Sequence, residues 1–447
     1  MTLSKKQYFA LASMIFGLFF GAGNLIFPAF MGQMAGSKTP IAILGFLITA
    51  VGLPLLGLVA IGISHSEGLL DMSSRVSKKY GLFLTCLLYL TIGPLFAIPR
   101  TATVSFSVGI EAMAPNSNSV WLLVFSLVFF LITLFFSLYP TKILTWVGRI
   151  INPLFLIFLG VILITAIFNP MGSISSLEPI DSYASQSFFT GFLEGYNTLD
   201  VLAGVAFGIV IVNVIRDLGI TEPKEIAKTS IKSGIIGFVL MAIIYIGIAL
   251  VGAQSRNTVE LAENGGIILS QISQHYFGNF GGILLAATVI LACLKTAIGL
   301  ITSCGEAFNK IFPKVSYKAW AIIFCILSFI IANFGLNSII TWSLPVLRFL
   351  YPLTITLIFL NIFGSKFEYS KDVMQWTTAL TIPAAILDFI NAFPKDTISA
   401  LHLQSFLEFF HSYLPFFNIG LGWIIPSTIG FIIGLIIYNA KKKKATV

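Results

Sequence analysis

Long apolar runs dominate the 447-residue chain, and short polar segments separate them. About 20 consecutive apolar residues cross the hydrocarbon core of a bilayer as a helix. The pattern therefore predicts twelve membrane spans, over about 9–34, 40–63, 81–111, 119–139, 150–168, 188–213, 232–252, 279–303, 319–334, 339–362, 373–393 and 416–438. We expect an all-α polytopic membrane protein with one transmembrane domain over residues 1–447.

Composition supports this expectation. Hydrophobic residues make up 57% of the chain and charged residues 10%, against roughly 25% charged residues in soluble proteins. A soluble enzyme, a nucleic-acid-binding protein and a disordered chain are excluded, because none could cover so much apolar surface. The lipid bilayer is the expected partner, with neither a nucleic acid nor an obligatory protein partner.

The distribution of charge predicts the orientation. Cytoplasmic loops of membrane proteins are enriched in Lys and Arg. With both termini inside, 20 of the 26 Lys and Arg residues fall in inside segments. The inside group is Lys5, Lys6, Arg75, Lys78, Lys79, Lys142, Arg149, Arg216, Lys224, Lys228, Lys232, Lys310, Lys314, Lys318, Lys366, Lys371, Lys441, Lys442, Lys443 and Lys444. Outside loops hold three, Lys38, Arg256 and Lys395. This predicts a multi-pass protein of the cytoplasmic membrane with cytoplasmic termini.

The first and sixth spans are interrupted by residues that form helices poorly. The first interruption contains Gly21, Ala22, Gly23 and Asn24, and the second contains Tyr196, Asn197, Thr198, Leu199 and Asp200. Each opens a block of five spans, and the two blocks run in opposite directions. This favours an inverted repeat with a site near the bilayer midplane. The repeats would cover about 9–168 and 188–362, with two extra helices over about 373–438. The alternative is that these glycines allow close helix packing.

Five long strings carry a family resemblance. They are GLFFGAGNLIFPAF, GPLFAIPRTATVSF, FLEGYNTLDVLAGVAFGIVIVN, LACLKTAIGLITSCGEAF and LPVLRFLYPLTITLIFLN. In this order they resemble the bacterial branched-chain amino acid:cation symporter family, from about residue 5 to about residue 440. The resemblance implies secondary transport of leucine, isoleucine and valine, coupled to sodium or protons, by alternating access. It implies no enzyme activity and no cofactor, and the five-plus-five fold of amino acid–polyamine–cation transporters.

Unwound backbone suits a zwitterionic substrate in the membrane. Free N–H groups at helix ends hold a carboxylate, and free C=O groups hold an ammonium or a metal cation. The predicted substrate-binding residues are Gly21, Ala22, Gly23, Asn24, Tyr196, Asn197, Thr198, Leu199 and Asp200. The aliphatic end of the substrate needs an apolar wall, which any of 42 phenylalanines could supply.

Ionisable residues within spans are functional candidates. They are Arg100, Glu194, Asp200, Lys295, Arg348 and Asp388. Asp200 lies beside the second interruption, which favours the site or its gate. Arg100 is predicted to be a gating charge or half of a structural ion pair. Glu194 is predicted to be a buried gating charge or an interfacial carboxylate, and Arg348 and Asp388 structural charges.

Lys295 is a departure from what the resemblance implies. Many members of the superfamily bind sodium between carbonyls of the broken first helix and two adjacent hydroxyl residues of span 8. Alignment places Lys295 and Thr296 at that pair, with Ala22 on the first helix. An ammonium there would repel sodium or replace it, which favours proton coupling. In the alternative, Lys295 extends toward the cytoplasm or forms a structural pair, and Thr302 and Ser303 are the hydroxyl pair.

Other functions are disfavoured. A membrane enzyme needs a buried catalytic cluster, but all four histidines fall in loops or at their edges. A channel is usually built from symmetric subunits with rings of charges or carbonyls. Two broken helices in one chain suit alternating access better. A sodium-independent, proton-coupled or exchanging transporter of another small amino acid or a nucleobase remains the alternative.

Overall fold

The computed structural model describes residues 3–111, 119–139 and 144–445, and Lys142 lies outside them. The described chain is all-helical. Its α-helices are α1 Lys5–Phe19, α2 Ala22–Ala35, α3 Thr39–Leu47, α4 Leu53–Ile63, α5 Leu69–Ser74, α6 Lys78–Leu90, α7 Ala97–Val104, α8 Ser119–Ser137, α9 Asn152–Phe168, α10 Ser182–Tyr196, α11 Asp200–Ala206, α12 Gly208–Asp217, α13 Pro223–Ser255, α14 Gly265–Phe277, α15 Asn279–Ile311, α16 Tyr317–Ala332, α17 Leu336–Ile362, α18 Lys371–Asn391, α19 Lys395–Ala400, α20 Gln404–Tyr413 and α21 Ile424–Ala445.

Several of these helices are joined by wider or tighter turns. The π-helical segments are Ile48–Gly52, Thr91–Leu95, Ser105–Glu111 and Leu144–Ile151, and the 3₁₀ segments are Gly36–Lys38, Gly364–Phe367 and Phe417–Ile419. Single π-helical turns within α-helices are frequent at functional sites. Two of them flank α7, which carries Arg100.

Nine helical stretches in the described residues are long and apolar enough to cross a membrane. They are Ala22–Ile63, Lys78–Gly109, Ser119–Ser137, Thr145–Phe168, Pro223–Ser255, Asn279–Ile311, Leu336–Ile362, Lys371–Asn391 and Ile424–Lys444. The predicted all-helical, multi-pass architecture is confirmed. The prediction of twelve spans counts further segments that are interrupted or short, among them α16 with 16 residues.

The chain leaves helical geometry at both predicted interruptions, but over fewer residues than predicted, because Ala22, Gly23 and Asn24 already belong to α2, Tyr196 to α10 and Asp200 to α11. Phe20 and Gly21 separate α1 from α2, and both have extended backbone angles. Residues 197–199 separate α10 from α11, and Leu199 has a left-handed φ of 70°. A left-handed conformation costs a non-glycine residue about 1–2 kcal/mol, and such strain tends to occur at functional sites.

A third irregularity, which the sequence analysis did not predict, precedes α7. Gly93 has φ −90° and ψ −128°, and Pro94 follows it. Proline lacks an N–H and cannot continue the hydrogen-bond ladder of a helix interior. The break lets α7 approach both of the interrupted helices, and so places Arg100 beside them.

Helices α2 and α13 cross in close contact at the centre of the bundle. A Cβ atom built on Gly32 of α2 would lie 1.9 Å from the carbonyl oxygen of Ala249 in α13. One built on Gly252 would lie 2.3 Å from the carbonyl oxygen of Ala29. Small residues let helix backbones touch in this way. The contact brings Tyr245 of α13 next to the first break.

A candidate substrate site between the helix breaks

A hydrogen-bond network joins the two breaks. The Gly21 N–H donates to Asn24 Oδ1 over 2.7 Å, and Asn24 Nδ2 donates to Asp200 Oδ2 over 2.6 Å. The Asn24 amide also contacts the hydroxyl of Tyr245, which donates to Asp200 Oδ2 over 2.9 Å. All of these groups are buried. Asp200, the first residue of α11, is therefore fixed by the first break and by α13.

Arg100 lies where the breaks meet. Its Nη1 donates to the Asn197 carbonyl oxygen over 3.1 Å, and its guanidinium lies 5.6 Å from the Phe27 ring centre. The C-terminal end of a helix carries a partial negative charge, so the guanidinium sits at the favourable end of α10. Arg100 takes part in no ion pair within 4 Å among the described residues. The structure therefore does not show the fixed ion pair that was one alternative for it.

A small cavity of about 30 Å³ lies between the breaks. Seven of the nine predicted substrate-binding residues line it, namely Gly21, Ala22, Gly23, Asn24, Thr198, Leu199 and Asp200, together with Arg100, Thr101 and Thr296. Its apolar wall consists of Leu18, Phe19, Ile92, Ala97, Ala203, Phe207 and Leu300. A cavity needs about 10–15 Å³ of such volume to hold one water, so this one has room for only two or three waters. A leucine can therefore enter only after the walls separate.

Tyr196 and Asn197 do not line the cavity. The Tyr196 ring stacks on that of Tyr351, with ring centres 3.9 Å apart, and its carbonyl accepts from the Tyr351 hydroxyl. Asn197 contributes its carbonyl to Arg100. Tyr196 and Asn197 therefore stabilise the walls of the cavity without lining it. Tyr245 and Tyr351 were missed by the sequence analysis, although each is a hydroxyl-bearing residue within an apolar span.

Lys295 and Thr296 face different surroundings. The Thr296 hydroxyl oxygen is buried without a hydrogen-bond partner in the described chain, and a Cβ at Gly21 would lie 2.8 Å from it. Lys295 is fully buried, and its Nζ donates to Asn152 Oδ1 over 2.9 Å. Successive helix residues point about 100° apart, so Thr296 faces the break while Lys295 does not. Full burial also excludes extension of Lys295 toward water in this conformation.

Phenylalanine rings surround the Lys295 ammonium. Its Nζ lies 3.5 Å from the Phe155 ring centre, 4.9 Å from that of Phe16 and 5.5 Å from that of Phe20. Aromatic faces attract cations, by about 2 kcal/mol or more when the pair is desolvated. We call Phe16, Phe20, Phe155 and Asn152 the lysine cage. Through this cage, Lys295 of α15 contacts both α1 and α9.

The remaining candidates lie away from the cavity. Glu194 is half-buried on α10 and interacts with the Asn197 side chain and with Arg348. The Thr302 hydroxyl donates to the Ile298 carbonyl and the Ser303 hydroxyl to the Ala206 carbonyl, each over 2.8 Å. Since both hydroxyls are engaged within the bundle, Thr296 is the hydroxyl on α15 that faces the break.

Two solved structures share the fold. Mhp1, a nucleobase-cation-symport-1 family transporter in a closed conformation with bromovinylhydantoin bound, matches with a TM-score of 0.59 and 14% identity, covering 97% of this chain and 93% of its own. MhsT in complex with L-phenylalanine matches with a TM-score of 0.57 and 16% identity, covering 97% and 98%. At these identities the likeness concerns the fold alone.

Relatives in sequence match over nearly the full length. A branched-chain amino acid permease BrnQ of Lactobacillus delbrueckii subsp. lactis is 49% identical, over 99% of both chains. BrnQ of Bacillus subtilis is 39% identical over 97% of both chains, and BraB of the same organism is 40% identical over 98% of this chain and 96% of its own. The family described as "Branched-chain amino acid transport protein" matches residues 4–441. The chain belongs to this family of membrane transport proteins.

Proposed function

We propose that the protein imports leucine, isoleucine and valine by cation symport through alternating access. The observation that carries the proposal is the convergence of two helix breaks on one buried cavity with an apolar wall. Relatives named branched-chain amino acid permeases, similar over their whole length, support the choice of substrate.

The proposed architecture has twelve spans with both termini in the cytoplasm. In our proposal the twelve spans are α1 with α2, α3 with α4, α6 with α7, α8, α9, α10 with α11 and α12, α13, α15, α16, α17, α18 and α21. Spans 1–5 and 6–10 would form the inverted repeats, with α18 and α21 outside them. The excess of Lys and Arg in the inside segments supports the orientation.

The breaks offer complementary groups to a zwitterion. An unpaired charge would be costly at this depth. In our proposal the substrate carboxylate binds free N–H groups at the start of α2, next to Arg100. The ammonium binds backbone carbonyls of the second break and Asp200. The aliphatic side chain lies against Phe19 and Phe207.

A larger opening approaches the cavity from one side. A space of about 790 Å³ has Ile26 and Thr103 in its wall. These residues lie one helical turn beyond Gly23 and Arg100. About one helical turn of side chains therefore separates this space from the cavity. In our proposal, this layer moves aside when the substrate enters. In the proposed orientation it faces outward.

Thr296 supports a coupling cation at the break. A buried hydroxyl without a partner, beside the extended backbone of Gly21 and the first residue of α2, Ala22, offers oxygen ligands of the kind that bind sodium in such folds. Lys295 supports coupling to protons instead, because it is a buried titratable group one residue away. Labelled leucine uptake into proteoliposomes, with sodium and pH gradients imposed separately, distinguishes the two ions.

Thr296→Val tests the sodium site, with Thr296→Ser as its control. If sodium couples, Thr296→Val should raise the sodium concentration for half-maximal uptake about tenfold, the equivalent of about 1.4 kcal/mol. Thr296→Ser keeps the hydroxyl and should stay near wild type. Uptake that needs sodium but is unchanged in Thr296→Val would remove Thr296 from the site.

Gly23→Val tests the substrate site itself. A Cβ at Gly23 would lie 3.1 Å from Arg100 Nη2 and 3.2 Å from the Phe27 ring, so a branched side chain should abolish leucine binding. Gly160→Val is the matched control, because nothing lies within 4 Å of a Cβ there. Leucine affinity unchanged in Gly23→Val would refute the site. Uptake that excess uracil or proline inhibits more strongly than valine does would refute the substrate class.

A further inference from the structure

A second pocket, of about 210 Å³, lies between α10, α17, α18 and the segment that joins α20 to α21. We call it the side pocket. Its polar lining is Arg348, Asp388, Asn391 and Asn418, and its apolar lining includes Leu344 and Phe417. It lies where α18 ends and α21 begins, at the end of the molecule opposite the C-terminal lysines. It shares no lining residue with the cavity between the breaks.

Two opposite charges face this pocket without pairing. Asp388 is 5% exposed. Neither it nor Arg348 takes part in an ion pair within 4 Å, nor in a side-chain hydrogen bond, in the described chain. They still interact across the pocket. Arg348 is half-buried and also interacts with Glu194, whereas Asp388 is a buried carboxylate with no direct ion-pair partner, which is costly. Both side chains line the same pocket, which therefore offers one positive and one negative group to a ligand that carries both a carboxylate and an ammonium.

Neighbouring contacts hold the lining in place. The Arg348 guanidinium packs on the backbone of Gly420, where a Cβ would lie 2.8 Å from Nη1 and φ is +67°. His411 Nε2 lies 3.2 Å from Asn391 Oδ1, and its Nδ1 contacts Asn418 Oδ1. The α20 segment thereby positions the amide groups of two different walls. The pocket is built from several helices that support one another.

We propose that the side pocket is a second binding site for a small zwitterionic amino acid. Arg348 binds the carboxylate, Asp388 binds the ammonium, and Leu344 and Phe417 contact the aliphatic side chain. The choice of an aliphatic amino acid rests on the proposed function, since the same substrate would reach both sites. The side pocket is about seven times larger than the cavity between the breaks, at about 210 Å³ against about 30 Å³, which leaves room for a small amino acid.

The side pocket is connected to the central site. Arg348 lies one turn before Tyr351 on α17, and the Tyr351 hydroxyl donates to the Tyr196 carbonyl at the second break. Leu193, which also lines the pocket, lies one turn before that break on α10. An amino acid in the side pocket therefore contacts both helices that fix the second break.

Equilibrium binding of labelled leucine to the purified full chain in lipid nanodiscs tests the proposal. We expect two leucines per wild-type chain and one in Arg348→Gln. Leu344→Trp fills the pocket while keeping both charges, so it should also bind one, and it decides the matter if Arg348→Gln does not fold. Gly23→Val should keep the side-pocket leucine and lose the central one, and Gly160→Val should keep two.

The outcomes separate the two proposals. One leucine per wild-type chain, retained in Leu344→Trp and lost in Gly23→Val, overturns the side pocket and supports the central site. One leucine lost in Leu344→Trp and retained in Gly23→Val does the reverse. No binding in any variant overturns both.

Discussion

Arg100 and Lys295 are both buried cations, yet the structure satisfies them differently. Arg100, 6% exposed, donates to the Asn197 carbonyl at a helix end and lines the cavity between the breaks. Lys295, 0% exposed, donates to Asn152 and faces Phe155 inside the lysine cage. Neither takes part in an ion pair within 4 Å among the described residues.

The difference assigns them different tasks. Arg100 is held by backbone of the second break, which the substrate would also contact in the proposed site, so its position would depend on whether that site is occupied. Lys295 is held by side chains of α1 and α9, so its surroundings depend on how the first half of span 1 packs. A movement of α1 would disturb the cage without touching the substrate. We therefore expect Arg100 to govern binding and Lys295 to govern coupling.

The largest effect is expected from Arg100→Gln. Removing a hydrogen-bonded buried charge costs about 2–5 kcal/mol, and about 3 kcal/mol corresponds to a loss of roughly 100-fold in leucine affinity. Arg100→Lys keeps the charge but loses the planar fork, and should recover part of the affinity. Binding to purified protein measures both. Leucine affinity within threefold of wild type in Arg100→Gln would end the distinction between the two cations.

Lys295→Met should separate binding from coupling. Methionine fills the cage without a charge, and replacing buried charges by apolar groups is often neutral or stabilising. We expect leucine affinity within about threefold of wild type and unchanged leucine–leucine exchange across proteoliposomes. Gradient-driven accumulation should fall about tenfold, the equivalent of about 1.4 kcal/mol. Full accumulation in Lys295→Met would make Lys295 structural.

Asn152→Ala should destabilise the protein through Lys295. The substitution removes the oxygen that accepts from the ammonium, and hydrogen bonds to charged groups contribute about 1.5–3 kcal/mol. A lower Tm is expected, by a few degrees, in thermal unfolding of the detergent-solubilised protein. In the Lys295→Met background, Asn152→Ala should lower the Tm less, because no ammonium is left without its acceptor. Equal costs in both backgrounds would show that Asn152 acts through its bonds to Ser13 instead.

The positions of the breaks were predictable from sequence, whereas the rotation of the helices was not. Glycine and asparagine are poor in any helix interior, so a break near each predicted interruption is a local property of the chain, although its exact limits, 20–21 and 197–199, are not. Gly93 and Pro94 carried the same kind of signal, but one such dipeptide in a long apolar run did not stand out. Seven of the 17 residues that line the cavity follow from these local signals.

Contacts across the bundle had no such local signal. Lys295 and Thr296 are adjacent, and the choice of which faces the break depends on how α15 packs against α1 and α9. Tyr245 is 45 residues from Asp200, to which it donates. The cage around Lys295 likewise joins three helices distant in sequence. Side-chain partners of this kind are set by tertiary packing, which apolar periodicity does not specify in a chain that is hydrophobic on most faces.

The smallest effect is expected at the surface, where the cations Lys310 and Arg216 do have a carboxylate partner. Glu67, in the loop between α4 and α5, contacts Lys310 Nζ and lies 3.8 Å from Arg216 Nη2. The three side chains are 45–53% exposed, and such exposed pairs contribute about 1 kcal/mol or less. Glu67→Gln should therefore change the leucine uptake rate by about two- to threefold, and less at high salt. Glu225→Gln, which breaks the exposed pair with Lys228, is the control.

The pH dependence of this surface cluster sharpens the comparison with Lys295. The hydrogen bond and charge of Lys310, with the charge of Arg216, lower the pKa of Glu67 below its ordinary value of 4.5. A carboxylate with a lowered pKa contributes above that ordinary value and loses its contribution as the pH falls through the lowered one. Glu67 therefore stays charged between pH 5.5 and 8, and any pH response of uptake in that interval should persist in Glu67→Gln and disappear in Lys295→Met. Uptake rates of the two variants across this interval measure it, and a response abolished by Glu67→Gln would assign proton coupling to the surface cluster rather than to the lysine cage.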